Sequence, residues 1–190
     1  MVDARPPAPG GLELVEALCN TAELLRGRDA LGDAAAARAW MRERRLPGAD
    51  APRDPGEEDL ERLRRLREAV RDHLEAHSAR AADARAHLSS EARRLLGPPR
   101  WSPGSDTARL APEGGAGADG VAAAVLAALA AAELAGARAR LKVCAAPECR
   151  WVFYDRSPAN SGSWCSMAVC GARHKMRSYR SRRNEPGSAS

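Results

Sequence analysis

Cys144, Cys149, Cys165 and Cys170 are spaced as C-x4-C, a fifteen-residue gap and a second C-x4-C. Two close cysteine pairs can supply the four thiolates of a tetrahedral zinc site, with Zn–S distances of ~2.3 Å. Two disulfides are the competing chemistry, and they need an oxidising compartment. Met1 to Gly10 carries an acid, an arginine and three prolines, with none of the apolar run of a signal peptide. Disulfide pairing would also leave Cys19 over. Zn2+ is therefore the expected cofactor. Four sulfurs saturate it, so its expected role is structural and the chain is not expected to be an enzyme. His73 and His77 are four residues apart, but Leu74, Glu75 and Ala76 between them do not make an HExxH helix. These two and His87 read as surface histidines, and no catalytic triad or glycine-framed nucleophile stands out.

The second chemically pointed stretch follows the fourth cysteine. Arg173, Lys175, Arg177, Arg180, Arg182 and Arg183 crowd into eleven residues. Residues 141–190 hold nine Lys and Arg against three Asp and Glu, whereas residues 1–140 hold twenty-one against twenty-two. The chain's net charge of +5 thus comes from its last quarter. Such a footprint suits a polyanion, and these six side chains are the candidate DNA contacts.

The elements that must position these groups form a small module, poor in apolar residues, which needs a metal or disulfides to offset its chain entropy. Ala145-Ala146-Pro147-Glu148 makes a tight turn between the first two ligands. Arg150 to Tyr154 is aromatic and β-branched and reads as a strand. Asp155 to Gly162 reads as a loop, and Ser163 to Arg183 as a turn followed by a helix. Val169, Ala172, Met176 and Tyr179 fall on one helical face, with Arg173, Arg177 and Arg180 on an adjoining one.

The run Cys144-Ala-Ala-Pro-Glu-Cys-Arg-Trp-Val-Phe-Tyr-Asp-Arg-Ser157, followed by Trp164-Cys165-Ser-Met-Ala-Val-Cys170-Gly-Ala-Arg173, resembles the CGNR zinc finger. The resemblance covers about Leu141 to Arg183. It implies a bacterial, stress-induced transcription regulator that binds DNA. Ala172 stands where that family has Asn, so any contact made by that amide is missing here. Leu18-Cys19-Asn20-Thr21 resembles, more weakly, the Phe-Val-Asn-Thr signature of the ABATE domain, which commonly precedes this finger. Asn20 and Thr21 then read either as a ligand-sensing pair or as polar anchors for a neighbouring loop. The anchor reading is preferred, because buried polar groups are usually satisfied structurally.

Upstream, hydrophobic residues make up 44% of the 190-residue chain but aromatics only 4%, which predicts a core of Leu and Ala. Leu12 to Arg26 is expected as a first helix, with Cys19 on its apolar face. Asp33 should cap a second helix through Arg45. Asp54 should cap a third running to about His77 on a stripe of Leu60, Leu63, Leu66 or Arg67, Val70 and Leu74. The Arg and Glu residues interleaved along that third helix read as a solvated, salt-bridged face. A fourth helix, Ala82 to Leu96, stops at Gly97-Pro98-Pro99. A hairpin pairs Arg100–Ser102 with Thr107–Leu110. An alanine-rich fifth helix from Asp119 to about Arg138 leads into the finger.

The expected fold class is α+β, mostly helical: an ABATE-like domain at 12–138 with a small β-hairpin, then a four-cysteine zinc finger at 141–184 ending in a basic helix. The tails, 1–11 and 185–190, are expected to be disordered. No apolar run reads as a membrane span; Val121 to Ala135 is too short and contains Glu133. The expected function is a cytoplasmic, zinc-dependent, DNA-binding transcription regulator whose N-terminal domain senses an effector or dimerises. The alternatives are a protein-interaction adaptor and an RNA-binding module that stacks bases on Trp151, Phe153, Tyr154 and Trp164.

Overall fold

The computed structural model describes residues 5–46, 49–50, 54–75, 78–104, 106–113 and 115–184. The expected helix stop at Pro47-Gly48, His77, residues 1–4, the 185–190 tail and the side chain of Arg183 lie outside what is described. The fold is α+β and mostly helical. Among the described residues no helix is long and apolar enough to cross a membrane.

Three helices make the centre: α1 (Leu12–Cys19), α3 (Glu57–Leu74) and α5 (Ala118–Leu134). They pack against one another, and α4 (Ala81–Leu95) lies along both α3 and α5. Leu12, Val15 and Leu18 of α1 meet Leu60, Leu63, Leu66 and Val70 of α3 and Val121, Val125 and Leu129 of α5. Small residues set the helix spacing. A Cβ on Gly11 would lie 3.0 Å from that of Ala128, so the start of α1 can sit directly on α5.

α2 (Ala34–Glu43) is capped as expected, with Asp33 Oδ1 accepting the Ala36 N–H at 2.8 Å. α3 is capped differently from expectation. Gly56 is its N-cap, and Asp59 reaches back to the Gly56 N–H at 3.1 Å; Asp54 instead pairs with Arg38.

The first helix ends seven residues earlier than its periodicity suggests. After Cys19 the chain forms two short antiparallel strands, β1 (Ala22–Glu23) and β2 (Arg28–Asp29), around a 3-10 turn at Leu24–Arg26. The cause is tertiary. Arg71 Nη2 donates to the carbonyls of Cys19 at 2.5 Å and Ala22 at 2.8 Å. Arg67 Nη1 donates to Thr21 Oγ1 at 3.1 Å and Asp29 Oδ1 at 2.7 Å. Both arginines are buried, which corrects the expectation of a wholly solvated charged face on α3. Arg62, Arg64 and Arg65 do pair with acids on their own helix.

The hairpin is also displaced. β3 (Leu96–Arg100) pairs with β4 (Arg109–Pro112), so Pro98 and Pro99 lie within a strand and do not merely stop a helix. A two-stranded ribbon leaves each strand a free edge, where proline costs no ladder bond. The segment before α1, expected to be disordered, is held from residue 5 onward. Ala8 is buried and its N–H donates to Glu16 at 2.7 Å, while Arg156 donates to the Pro7 carbonyl at 2.6 Å.

After α5 and a 3-10 turn at Ala137–Arg140 comes the hairpin of β5 (Leu141–Val143) and β6 (Val152–Tyr154). Successive strand residues face opposite ways. Leu141 and Val152 therefore join the helical core, while Phe153 joins the cysteine cluster. The hairpin is a shared wall between the two.

Candidate functional site

The first cysteine pair lies on the loop closing the β5–β6 hairpin. The Cys144 N–H donates to the Trp151 carbonyl at 2.8 Å, and Cys149 and Arg150 both donate N–H to the Ala146 carbonyl, at 2.9 and 3.2 Å. The turn then needs a left-handed residue, and Arg150 takes it at φ 47°. The second pair is presented by a tight turn. Ser166 caps it by accepting the Val169 N–H at 3.3 Å, and a π-type turn over Met167–Gly171 passes into α6 (Ala172–Asn184). Gly171 is buried where a Cβ would meet the Met167 sulfur at 3.0 Å. Between the pairs, the Asp155 carboxylate organises the loop. It receives Lys142 Nζ at 2.7 Å and the N–H groups of Ser157 and Gly162 at 2.9 and 2.7 Å. Burial alone would raise the Asp155 carboxyl, but these donors hold it below the usual carboxylate range.

The four sulfurs come together. All are buried and lie within 4.8 Å of one another, with Cys149–Cys165 and Cys165–Cys170 each at 3.7 Å. A tetrahedron with ~2.3 Å arms has edges of about 3.8 Å, so these separations suit four ligands around one ion. They are far beyond the ~2.05 Å of a disulfide, and all five cysteines are free thiols. The charges point the same way. Hydrogen bonds from Cys149 and Cys165 pull the Cys144 thiol down, and the resulting thiolate pushes Cys149 and Cys165 up. Burial pushes Cys170 up. One thiolate thus opposes ionisation of its neighbours, and four thiolates could share this space only around a cation. Cys19 takes no part: it is fully buried in the helical core, as expected of a small apolar residue.

α6 leaves the cage with its cations outward. Arg173, Lys175, Arg180 and Arg182 are exposed and have no ion-pair partner within 4.0 Å among the described residues. Arg177 differs, since it pairs with Glu148 of the first cysteine loop at 2.5 Å. The base of the helix is further steadied by the rings of Trp164 and His174, 4.7 Å apart. The apolar stripe expected to bury Ala172, Met176 and Tyr179 is not covered, for all three are exposed. His73, expected at the surface, is half-buried and bonded to Glu133 at 2.5 Å.

Two contacts that sequence reasoning left open or missed join the cage to the helical core. The Asn20 amide brackets Val152, accepting its N–H at 2.9 Å and donating to its carbonyl at 2.8 Å. Thr21 Oγ1 donates to the Leu18 carbonyl at 2.7 Å. Both residues of the sensing-or-anchor pair are thus anchors. Arg150 extends to α3, reaching Asp72 at 2.6 Å, Glu75 at 3.2 Å and Glu68 at 3.5 Å. The one foreshadowing signal for Arg67 and Arg71 is their spacing: Leu63, Arg67, Arg71 and Leu74 recur every three or four residues and share a helix face.

A helical core that walls one side of a buried four-thiol cage, with a cationic helix springing from the last thiol, is a helical domain fused to a zinc-finger-like module. The chain belongs to the ABATE family, described as "Putative stress-induced transcription regulator", which matches residues 12–138. Residues 140–183 match the CGNR zinc finger. One is a regulator family and the other a zinc-finger family; neither is an enzyme family. Among curated proteins none matches the chain.

Proposed function

We propose that Cys144, Cys149, Cys165 and Cys170 hold one structural Zn2+, and that the chain is a stress-responsive transcription regulator that binds DNA through α6. The ion, once bound, neutralises the thiolates and cross-links two loops that bury little apolar surface of their own. The chain's residues do the rest. Cys170 fixes where α6 begins, Trp164 and His174 fix how it leaves, and Arg173, Lys175, Arg180 and Arg182 face outward to phosphate oxygens. Arg177 can join them by leaving Glu148, because an exposed bridge of this kind contributes little. A reducing compartment such as the cytoplasm keeps the cage assembled.

The observation that carries this reading is the exposed cation row, without ion pairs among the described residues, on a helix rooted in the cage. Its test is duplex binding by the metal-loaded chain as salt is varied. Neutralising four to six phosphates gives a slope of log K against log[salt] of about −4 to −5. Arg180→Ala plus Arg182→Ala should weaken binding to every duplex and flatten that slope by about 2. A slope near zero, or binding undiminished in the double variant, contradicts it. A second reading, an adaptor that docks on an acidic protein surface, is favoured by exposed Met176 and Tyr179 on the same helix. It takes precedence if the metal-loaded chain fails to retain duplex DNA even at low salt.

A further inference from the structure

The seam between the helical core and the cage encloses a cleft of about 420 Å³, within the range of small-molecule sites. Its walls come from both sides: Glu13, Glu16 and Trp40 from α1 and α2, Trp151 and Phe153 from the hairpin. The chain has seven aromatic residues, and three of them face this one space.

The resident charges decide what it can take. The cleft's two arginines are already engaged. Arg5 stacks its guanidinium 4.9 Å from the centre of the Phe153 ring and donates to the Trp164 carbonyl at 3.2 Å. Arg44 lies 5.6 Å over the Trp40 ring and bonds Glu43 at 3.2 Å. Glu43 shares that pair, but the other two carboxylates are not so engaged. Glu13 and Glu16 are neighbours three apart on one face of α1, and among the described residues neither has an ion pair within 4.0 Å. Glu16 is half-buried, with the Ala8 N–H as its one hydrogen-bond donor among those residues. Burial raises its carboxyl, although that N–H and the more distant Arg156 and Arg5 oppose the rise. Three acids, Glu13, Glu16 and Glu43, line the cleft against two arginines, so its net charge is negative. Its ring faces already accept planar cations, as the two guanidiniums show.

We propose that this cleft binds a small planar aromatic cation, held against the aromatic wall of Trp40, Trp151 and Phe153 and neutralised by Glu13 and Glu16. A carboxylate ligand would meet three acids, with Arg44 paired to Glu43 and Arg5 stacked on Phe153. Asn20 and Thr21 line the cleft, but their polar groups are committed to the fold, so recognition comes from the rings and the acids. Because the cleft touches β6 and Cys165, its occupant would contact both the helical core and the cage.

The test is calorimetric titration of the metal-loaded full chain, free of nucleic acid, with proflavine as the cation and anthracene-9-carboxylate as an anion of similar size. The site does not depend on the DNA reading, and with no duplex present the two ideas fail separately. One proflavine per chain should bind, quenching tryptophan fluorescence, with the anion at least about tenfold weaker. Glu13→Gln plus Glu16→Gln should weaken proflavine about tenfold and leave the anion no weaker. If that double variant does not fold, Glu13→Gln alone, at an exposed position, should cost about threefold. Failure of proflavine to bind, an anion that binds as tightly, or folded variants that bind the cation like the parent would each overturn the proposal.

Discussion

Asn20 pairs with Val152 as a strand would: its side-chain amide accepts the Val152 N–H at 2.9 Å and donates to the Val152 carbonyl at 2.8 Å. One residue at the end of α1 thereby supplies both hydrogen bonds that Val152 lacks on the outer edge of β6. Val152 is fully buried, so no water can replace that pairing.

Asn20→Ala should therefore leave a buried donor and a buried acceptor unsatisfied and cost about 2 to 3 kcal/mol. Asn20→Asp should be no better, since it keeps the acceptor but turns a charge toward the Val152 carbonyl. Denaturant titration of the two variants checks this. A midpoint like the parent's would mean that the bracket contributes nothing.

Arg150 makes the second link, at a backbone conformation that L residues adopt reluctantly. Asp72 is buried on α3, and Arg150 lies 2.6 Å from it, with Arg80 as its other partner at 3.1 Å. Arg150→Met should destabilise the protein by about 2 kcal/mol, much of it from leaving Asp72 under-neutralised. In a double-mutant cycle with Asp72→Asn, the coupling should be about 1 to 3 kcal/mol. Additive losses would show the two side chains to be neighbours without energetic consequence.

The cage was legible in the sequence because zinc chemistry constrains ligand type and spacing locally; Cys144 and Cys149 had to share a turn whatever surrounded them. The joint between cage and core was not legible. Arg67 could be read as an alternative to Leu66 on the core stripe, but Arg71 looks like Arg62 and Arg65 in any charge pattern, and only folding shows that it bonds the buried carbonyls of Cys19 and Ala22. The same long-range bonds ended α1 at Cys19, overriding a helical periodicity that continued to Leu25. Capping at Gly56 and not Asp54 turned on the reach of Asp59, a local feature that spacing alone did not rank. On α6 the periodicity of Met176 and Tyr179 was real, but the face it marks stays exposed.

Cys19 offers a pH-dependent check. Burial pushes its thiol from an ordinary 9.0 up to about 12. A raised folded value means that the contribution is complete below pH 9 and is lost as the pH rises from 9 toward about 12, where the unfolded thiol ionises and the folded one does not. Cys19→Ala should cost about 1 kcal/mol at neutral pH through the small cavity it leaves. Across the alkaline window its denaturation midpoint should fall less steeply than the parent's. Parallel falls would show that the buried thiol does not set that limb.

The account stands most directly on what the four sulfurs hold. X-ray absorption at the zinc edge, on reduced protein whose metal content has been measured, reads this in one spectrum. One zinc per chain, surrounded by four sulfurs at ~2.3 Å and no nitrogen or oxygen, is the predicted result. Protein purified without a stoichiometric metal, or zinc with fewer than four sulfur neighbours, would contradict it.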